Sequence, residues 1–347
     1  MFYLLSFIVS LASSAGLTYL VRRVALRLGV VDNPDKPVVG RKIHQQPIPL
    51  LGGVAIFLAF FFWLFIFQRH FLQGDLVWQQ LLAFFLGALI IIIGGSLDDK
   101  HNLPAWQQLI SPLLAIAVLI LGGIKIERIS HPFGGVWDLS SLMIISYLII
   151  IIWLLGMMYA TKLLDGVDGL VSGVGAIGAL IIFLFTLTSR YYQPDLALAG
   201  ILLVGALLGF LIFNWHPAKI FLGEGGSILV GYLLGVLAII SGGKIAIALL
   251  IMGIPMLDLI WTIIRRLAKG QNPFRSADRQ HLHHRFLALG LGQRKTVLIF
   301  YLFSLSFGLG GLFLQSQGKL WLLIGLVALM LGLLAFFNLY QAKQLKK

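Results

Sequence analysis

The chain alternates between long apolar runs and short polar clusters, and the apolar runs share a common length. Eleven of them lie near the twenty residues that a helix needs to span hydrocarbon: roughly 2–21, 50–67, 78–97, 105–124, 142–160, 170–188, 196–214, 227–241, 245–264, 296–314 and 320–340. The run at 227–241 is short, so the pattern admits ten spans as well as eleven. Nothing between the runs has the length of a soluble domain. The expected fold is an all-α polytopic membrane protein of about 10–11 transmembrane helices, forming a single domain over residues 1–347. Pro255 should kink the ninth span. The segment "KIERISHPFGGVWDLS" should form a small hairpin around Gly134-Gly135.

Composition agrees, with 59% hydrophobic and only 11% charged residues, and the sparse charges carry topological information. Basic residues favour the cytoplasmic side. With the N-terminus outside, twenty of the 26 lysines and arginines fall inside, a bias that the opposite topology would reverse. The C-terminus then lies in the cytoplasm too. The net charge of +13 reads as this topology signal plus attraction to anionic lipid and phosphate, not as a nucleic-acid footprint. Without cysteine there is no disulfide framework, no zinc thiolate and no nucleophilic thiol. The first run lacks a basic flank and a small-residue cleavage site, so it is expected to be a retained helix.

The polar residues collect on the inside face. The segments are "DNPDKPVVGRKIHQQPIPLLGG" (32–53), "DDKHN" (98–102), "KLLDGVDG" (162–169), "NWHPAKIFLGEGGS" (214–227) and "RRLAKGQNPFRSADRQHLHHR" (265–285). They hold eight of the thirteen acidic residues and six of the eight histidines. Asp98 and Asp99 end an apolar helix, the unfavourable end of its dipole for a carboxylate, which calls for a partner such as a lysine or Mg²⁺. Asp165 and Asp168 are three apart, each followed by a glycine that permits close approach to the backbone. Ser227 or the glycine amides of "FLGEGGS" should cap the next helix, whose start attracts anions. In "HLHHR", His281, His284 and Arg285 share one face if the segment is helical from a cap at Ser276 or Asp278. Asp258 lies inside the ninth span, with Arg265 seven residues on as its plainest partner. Clustered carboxylates, glycines and basic residues at one membrane face describe metal-assisted chemistry on a phosphorylated substrate whose other half is lipid. A transporter would place its acids near the midplane and commonly shows repeated halves, neither of which is seen.

In this order, "RKIHQQPIPLLGG", the Asp-Asp pair, "LLDGVDGL", "NWHPAKIFLGEGGS" and "DRQHLHHR" resemble the polyprenyl-phosphate N-acetylhexosamine-1-phosphate transferases of glycosyltransferase family 4. The likeness runs from about residue 30 to about 290, and "HLHHR" looks like the lipid-carrier N-acetylglucosamine branch. The resemblance implies transfer of N-acetylglucosamine-1-phosphate from UDP-GlcNAc to undecaprenyl phosphate in the bacterial cytoplasmic membrane, with UMP as leaving group and a homodimeric assembly. Another UDP-sugar, including UDP-MurNAc-pentapeptide, or a non-catalytic binding role are the alternatives it leaves. By resemblance, Asp98 is a candidate base or orienting group for the lipid phosphate, with Asp99 in support. Asp165 and Asp168 would hold the nucleotide, and Phe221 would stack on uracil. His281, His283, His284 and Arg285 would bind diphosphate or sugar, with Lys42 and His44 at the entrance.

Two positions depart from the family pattern. The asparagines usually found six and three residues before the first aspartate of "DGxDG" are Tyr159 and Lys162 here, and the aspartate of the later motif is Glu224. The family usually coordinates Mg²⁺ from the second asparagine and that aspartate, and an ammonium cannot ligate a metal. Mg²⁺ is expected through Glu224 with one of Asp98, Asp99, Asp165 or Asp168, leaving Lys162 on the diphosphate. The alternatives are that Lys162, with Glu224 as its partner, supplies part of the charge the ion normally provides, or that metal binding and activity are lost. Retained activity is the expectation.

Overall fold

A computed structural model describes residues 1–33, 47–74, 76–131, 133–188, 192–242, 245–271 and 280–344. Every one of the eleven apolar runs is helical in it. The helices are α1 (Phe2–Leu28), α2 (Gly52–Ile66), α3 (Gln68–Phe71), α4 (Trp78–His101), α5 (Ala105–Gln108), α6 (Ile110–Leu121), α7 (Met143–Leu164) and α8 (Leu170–Thr186). They continue as α9 (Pro194–Asn214), α10 (Gly223–Ile240), α11 (Ile245–Ile251), α12 (Gly253–Ala268), α13 (Leu282–Ala288), α14 (Gly292–Phe313) and α15 (Ser316–Gln344). Seven of them, α1, α4, α7, α9, α10, α14 and α15, are long and apolar enough to cross a membrane. Helix α2, the α5–α6 stretch and α8 are shorter apolar helices. The chain is an all-α multi-pass membrane protein.

The ninth apolar run departs from a single continuous span. It breaks at Met252 into α11 and α12, which meet at 81°. The expected effect of Pro255 is visible, but the break falls before it. Pro255 sits in the first turn of α12, where its missing N–H costs no intrahelical bond. Two small antiparallel ribbons complete the fold. One pairs β1 (Val31–Asp32) with β2 (Ile48–Pro49). The other pairs β3 (Arg128–Ser130) with β4 (Val136–Asp138), turning at Gly134 and Gly135, both at positive φ as a tight hairpin needs.

Hydrophobicity gives helices no reason to prefer each other over lipid, so close backbone approach and polar contacts select partners. Helix α1 packs on α9 through Ser6, Ser10, Ser14 and Thr18, a buried stripe at four-residue spacing. The hydroxyls of Ser10 and Ser14 each donate to a backbone carbonyl of α9, at Leu202 and Ala206, both at 2.6 Å. Helix α10 is the buried centre and packs against α2, α4, α7 and α8. Gly225 lies directly on Gly95 of α4, and Gly226 directly on Gly53 of α2, with no space for a Cβ at either contact. Beside these contacts the N–H groups of Gly52 and Gly53 donate to the carbonyls of Phe221 and Leu222, at 3.0 and 2.9 Å. The Phe221 N–H returns to Pro49 at 2.9 Å. These crossings gather the C-terminal ends of α4, α7 and α9 and the N-terminal ends of α2, α8 and α10 at one end of the bundle.

Gly95→Val should push α4 off α10 and lower the melting temperature in detergent, at an overpacking cost of about 1–3 kcal/mol or more. Gly325→Val, on α15 with nothing near its Cβ position, should leave it unchanged. Equal melting of the two variants would refute the packing argument.

Candidate active site

Four helices meet through one chain of polar contacts. Asp98, in the last turn of α4 and buried, accepts the Leu103 N–H at 2.8 Å and the Gln108 side-chain amide at 3.3 Å on Oδ1. The Gln108 carbonyl oxygen, on α5, accepts from Lys162 Nζ of α7 at 2.8 Å. Lys162 Nζ lies 2.8 Å from Glu224 Oε2, at the start of α10. The backbone N–H of Glu224 closes the path by donating to Asp99 Oδ1 at 3.0 Å. Neither Asp98 nor Asp99 pairs with a lysine directly: Gln108 stands between Asp98 and Lys162, and Glu224 between Asp99 and Lys162. The start of α10 is capped, but not by its own residues as expected. Ser227 Oγ donates back to the Glu224 carbonyl, and the Asp99 carboxylate of α4 satisfies the exposed donor in trans. Gly223, at φ +76, leaves Asp99 Oδ2 the room that a side chain would fill.

The second aspartate of "DGVDG" is held by a different partner. Asp168 Oδ2 contacts His216 Nδ1 at 2.7 Å and accepts the Ala218 N–H at 3.1 Å. Arg294 of α14 donates to the His216 carbonyl through Nε and Nη2, at 3.2 and 3.0 Å. Asn214 Oδ1 accepts from the Gly169 N–H and the Ser172 hydroxyl, at 3.1 and 3.0 Å, while its amide donates to the Ile220 carbonyl at 3.0 Å. Asp168 and Asn214 therefore fix the loop between α9 and α10, on which Phe221 is carried, against the start of α8.

The histidine motif lands on the first half of the same turn. A Cβ at Gly166 would lie 2.7 Å from His283 Nε2 and 3.5 Å from a carbon of His284, so this glycine accommodates histidine rings. His283 is 1% exposed, whereas His284 is half-buried and the most open of the three. His281 is the N-cap residue of α13, outside the helix, so the shared face expected for His281, His284 and Arg285 does not form. Its Nδ1 lies 3.1 Å from Asp258 Oδ2, and Asp258 also accepts the Leu282 N–H at 3.3 Å. Asp258 thus engages the start of α13, a neighbour that spacing along its own helix does not show. Arg285 is buried and donates to the Gln280 carbonyl at 2.9 Å and to Asn338 of α15 at 3.1 Å. Lys42 and His44, and the expected caps Ser276 and Asp278, lie outside the described residues.

Asp165 has exposed surface at the polar end of the bundle. Its carboxyl is pushed well above the usual range, first by the surrounding protein and then by the negative charges of Glu224, Asp99 and Asp168. A divalent ion at Glu224 would meet the Lys162 ammonium, which lies 2.8 Å from Glu224 Oε2 and has no lone pair with which to ligate a metal. Asp98, Asp99 and Asp168 each commit one oxygen to a protein donor or to His216. Among the described residues no three histidine, aspartate or glutamate side chains form a group suited to holding a metal.

Sequence reasoning missed Gln108, Asn214, His216 and Arg294. Asn214 and His216 lie within a segment already marked as polar, which is a usable signal. Gln108 stands at the head of an apolar run and resembles an ordinary solvated helix start.

Comparison with known proteins gives a consistent picture. Residues 81–242 match the family model described as glycosyl transferase family 4. The chain is 32% identical over 332 residues to the probable undecaprenyl-phosphate N-acetylglucosaminyl 1-phosphate transferase of Bacillus subtilis (strain 168), covering 94% of this chain and 88% of that protein. It is 32% identical over 305 residues to the undecaprenyl-phosphate alpha-N-acetylglucosaminyl 1-phosphate transferase of Thermotoga maritima, covering 85% and 86%. The protein of that same name from Escherichia coli (strain K12) is 28% identical over 331 residues, covering 92% and 85%.

The raised Asp165 carboxyl has a signed consequence. Its folded form holds the proton to higher pH than the unfolded chain does, so stability is lost as pH rises through the folded value. Asp165→Asn removes that loss. In ligand-free protein the variant should melt close to wild type near about pH 5 and above it near about pH 8. A difference that shrinks or reverses with rising pH would contradict the enclosure and charge repulsion described.

Proposed function

Because the chain belongs to glycosyl transferase family 4, we propose that it transfers N-acetylglucosamine-1-phosphate from UDP-GlcNAc to undecaprenyl phosphate. An oxygen of the lipid phosphate attacks the sugar-linked phosphorus, the bond to the uridylyl oxygen breaks, and UMP leaves. The product is the lipid-linked diphosphate sugar with which a surface polysaccharide begins. The site faces the cytoplasm, where a UDP-sugar is supplied, with the N-terminus outside, and the reaction is carried out at the end of a bundle that keeps the polyprenyl chain in lipid.

The observation that carries this reading is the closed polar path Asp98–Gln108–Lys162–Glu224–Asp99, set beside the histidines on Gly166 at one end of an apolar bundle. Bringing two anions together requires positive charge and fixed orientation; Lys162 brings an ammonium to the path, and the hydrogen bonds hold the groups in a fixed frame. Asp98 and Asp99 are the groups for the lipid phosphate. Asp98 Oδ1 is held by two donors, which fixes the direction of the remaining oxygen. Asp165 faces the nucleotide, and Phe221 stacks on uracil. Asp168 acts through His216 and the loop that carries Phe221, and so positions the nucleotide indirectly. His283 and His284 meet diphosphate or sugar across the Gly166 turn, while Asp258, His281 and Arg285 hold α13 in place.

Purified protein given undecaprenyl phosphate and UDP-GlcNAc should release UMP in step with formation of a lipid-linked diphosphate sugar. Asp98→Asn and Asp99→Asn should each lower the rate by about 100-fold or more, while UDP-GlcNAc still binds. Turnover only with a different UDP-sugar would reassign the donor. Binding without turnover for every UDP-sugar would overturn the enzymatic reading.

A further inference from the structure

The Lys162–Glu224 pair bears on how the site balances its charge. Asp98, Asp99, Asp165, Asp168 and Glu224 crowd one region, and the proposed substrates add phosphates to it. Such a collection calls for a cation, and the described residues offer no ready-made group of ligands for a metal. The cation in contact with two members of the polar path is Lys162, whose side chain is 18% exposed. An ammonium has three N–H donors. One of them is directed at Gln108 Oε1, 2.8 Å away, Glu224 Oε2 lies 2.8 Å from the nitrogen as an ion pair, and the Tyr159 ring lies 5.9 Å from it. Not every donor is used. Glutamate suits this arrangement better than aspartate would, because its extra methylene lets a carboxylate on α10 reach an ammonium on α7 while its own N–H stays on Asp99.

We propose that Lys162 is a built-in counter-charge, holding the place at which the site would otherwise require a divalent ion and offering a remaining N–H to the diphosphate of the nucleotide substrate. This rests on the reading of the site as one for a UDP-sugar. Lys162 is then a substrate-binding residue, Glu224 aims it, and Gln108 couples it to Asp98. The lysine removes a metal ligand, and the longer acid opposite it becomes the partner of its ammonium.

The test uses the full chain in detergent, freed of metal with EDTA, as wild type, Lys162→Asn and Lys162→Met. Manganese is the first probe, followed by its electron paramagnetic resonance signal without nucleotide or lipid. Wild type should leave the ion free. Lys162→Asn exchanges the ammonium for an amide oxygen beside Glu224 and should bind one Mn²⁺ at least about tenfold more tightly than wild type. Stoichiometric Mn²⁺ binding by wild type, unchanged in Lys162→Asn, overturns the proposal, and the wild-type arm decides it even if that variant does not fold. The second probe is UDP. In EDTA, wild type should bind it, and Lys162→Met should weaken binding by about 10- to 100-fold, the loss of one charged hydrogen bond. UDP binding by wild type that appears only on adding Mn²⁺ would also overturn the proposal. No UDP binding under any condition would instead sink the UDP-sugar reading, with the manganese result standing on its own.

Discussion

The contact on which the rest depends is backbone on backbone: Gly225 against Gly95 and Gly226 against Gly53. A Cβ at Gly95 or Gly53 would run into the backbone of α10, so a side chain at either would force the helices apart. Because the helices touch, the first turn of α10 meets the last turn of α4. The unsatisfied N–H of Glu224 and the carboxylate of Asp99 then solve each other's problem. A carboxylate at the wrong end of its own helix dipole becomes a carboxylate at the right end of another. The glycines of "FLGEGGS" are therefore packing residues whose consequence is electrostatic.

From that contact the charge balance follows. Glu224 is fixed by its backbone, so its side chain has a defined reach, and it ends on Lys162. Lys162 in turn fixes Gln108, and Gln108 fixes Asp98. Each group is oriented by the next, which removes the freedom a substrate would otherwise have to freeze out on binding. The same economy governs the other half of the site. Asp168 and Asn214 spend their hydrogen-bonding capacity on the α9–α10 loop, and Asp258 spends its capacity on the start of α13. Most of the polar residues here build the frame, leaving Asp165 and part of the Lys162 ammonium for a substrate.

Much of this was legible in the sequence. Helix existence was readable because the bilayer imposes a length, and the polar clusters were readable because so apolar a chain makes charges conspicuous. The Asp-Asp pair, "DGVDG", "FLGEGGS" and "HLHHR" are brought to one end of the bundle as their order suggested. What spacing could not supply was the identity of partners. Arg265 is visible from Asp258 along α12, but His281, 23 positions on, becomes its neighbour only through the fold. Ser227 is the obvious local cap for α10, yet Asp99 takes that role from 128 positions upstream, since only the fold brings it there. Sequence shows neighbours within a helix; the fold decides neighbours between helices.

The claim that Lys162 and Glu224 form one functional unit is tested most directly by a double-mutant cycle. Lys162→Met, Glu224→Gln and the double variant would be compared with wild type for UDP-GlcNAc affinity. A unit predicts strong non-additivity, with a coupling of about 1 kcal/mol or more and the double variant no worse than Lys162→Met alone. Losses that simply add would show that the two residues act independently and would contradict the account.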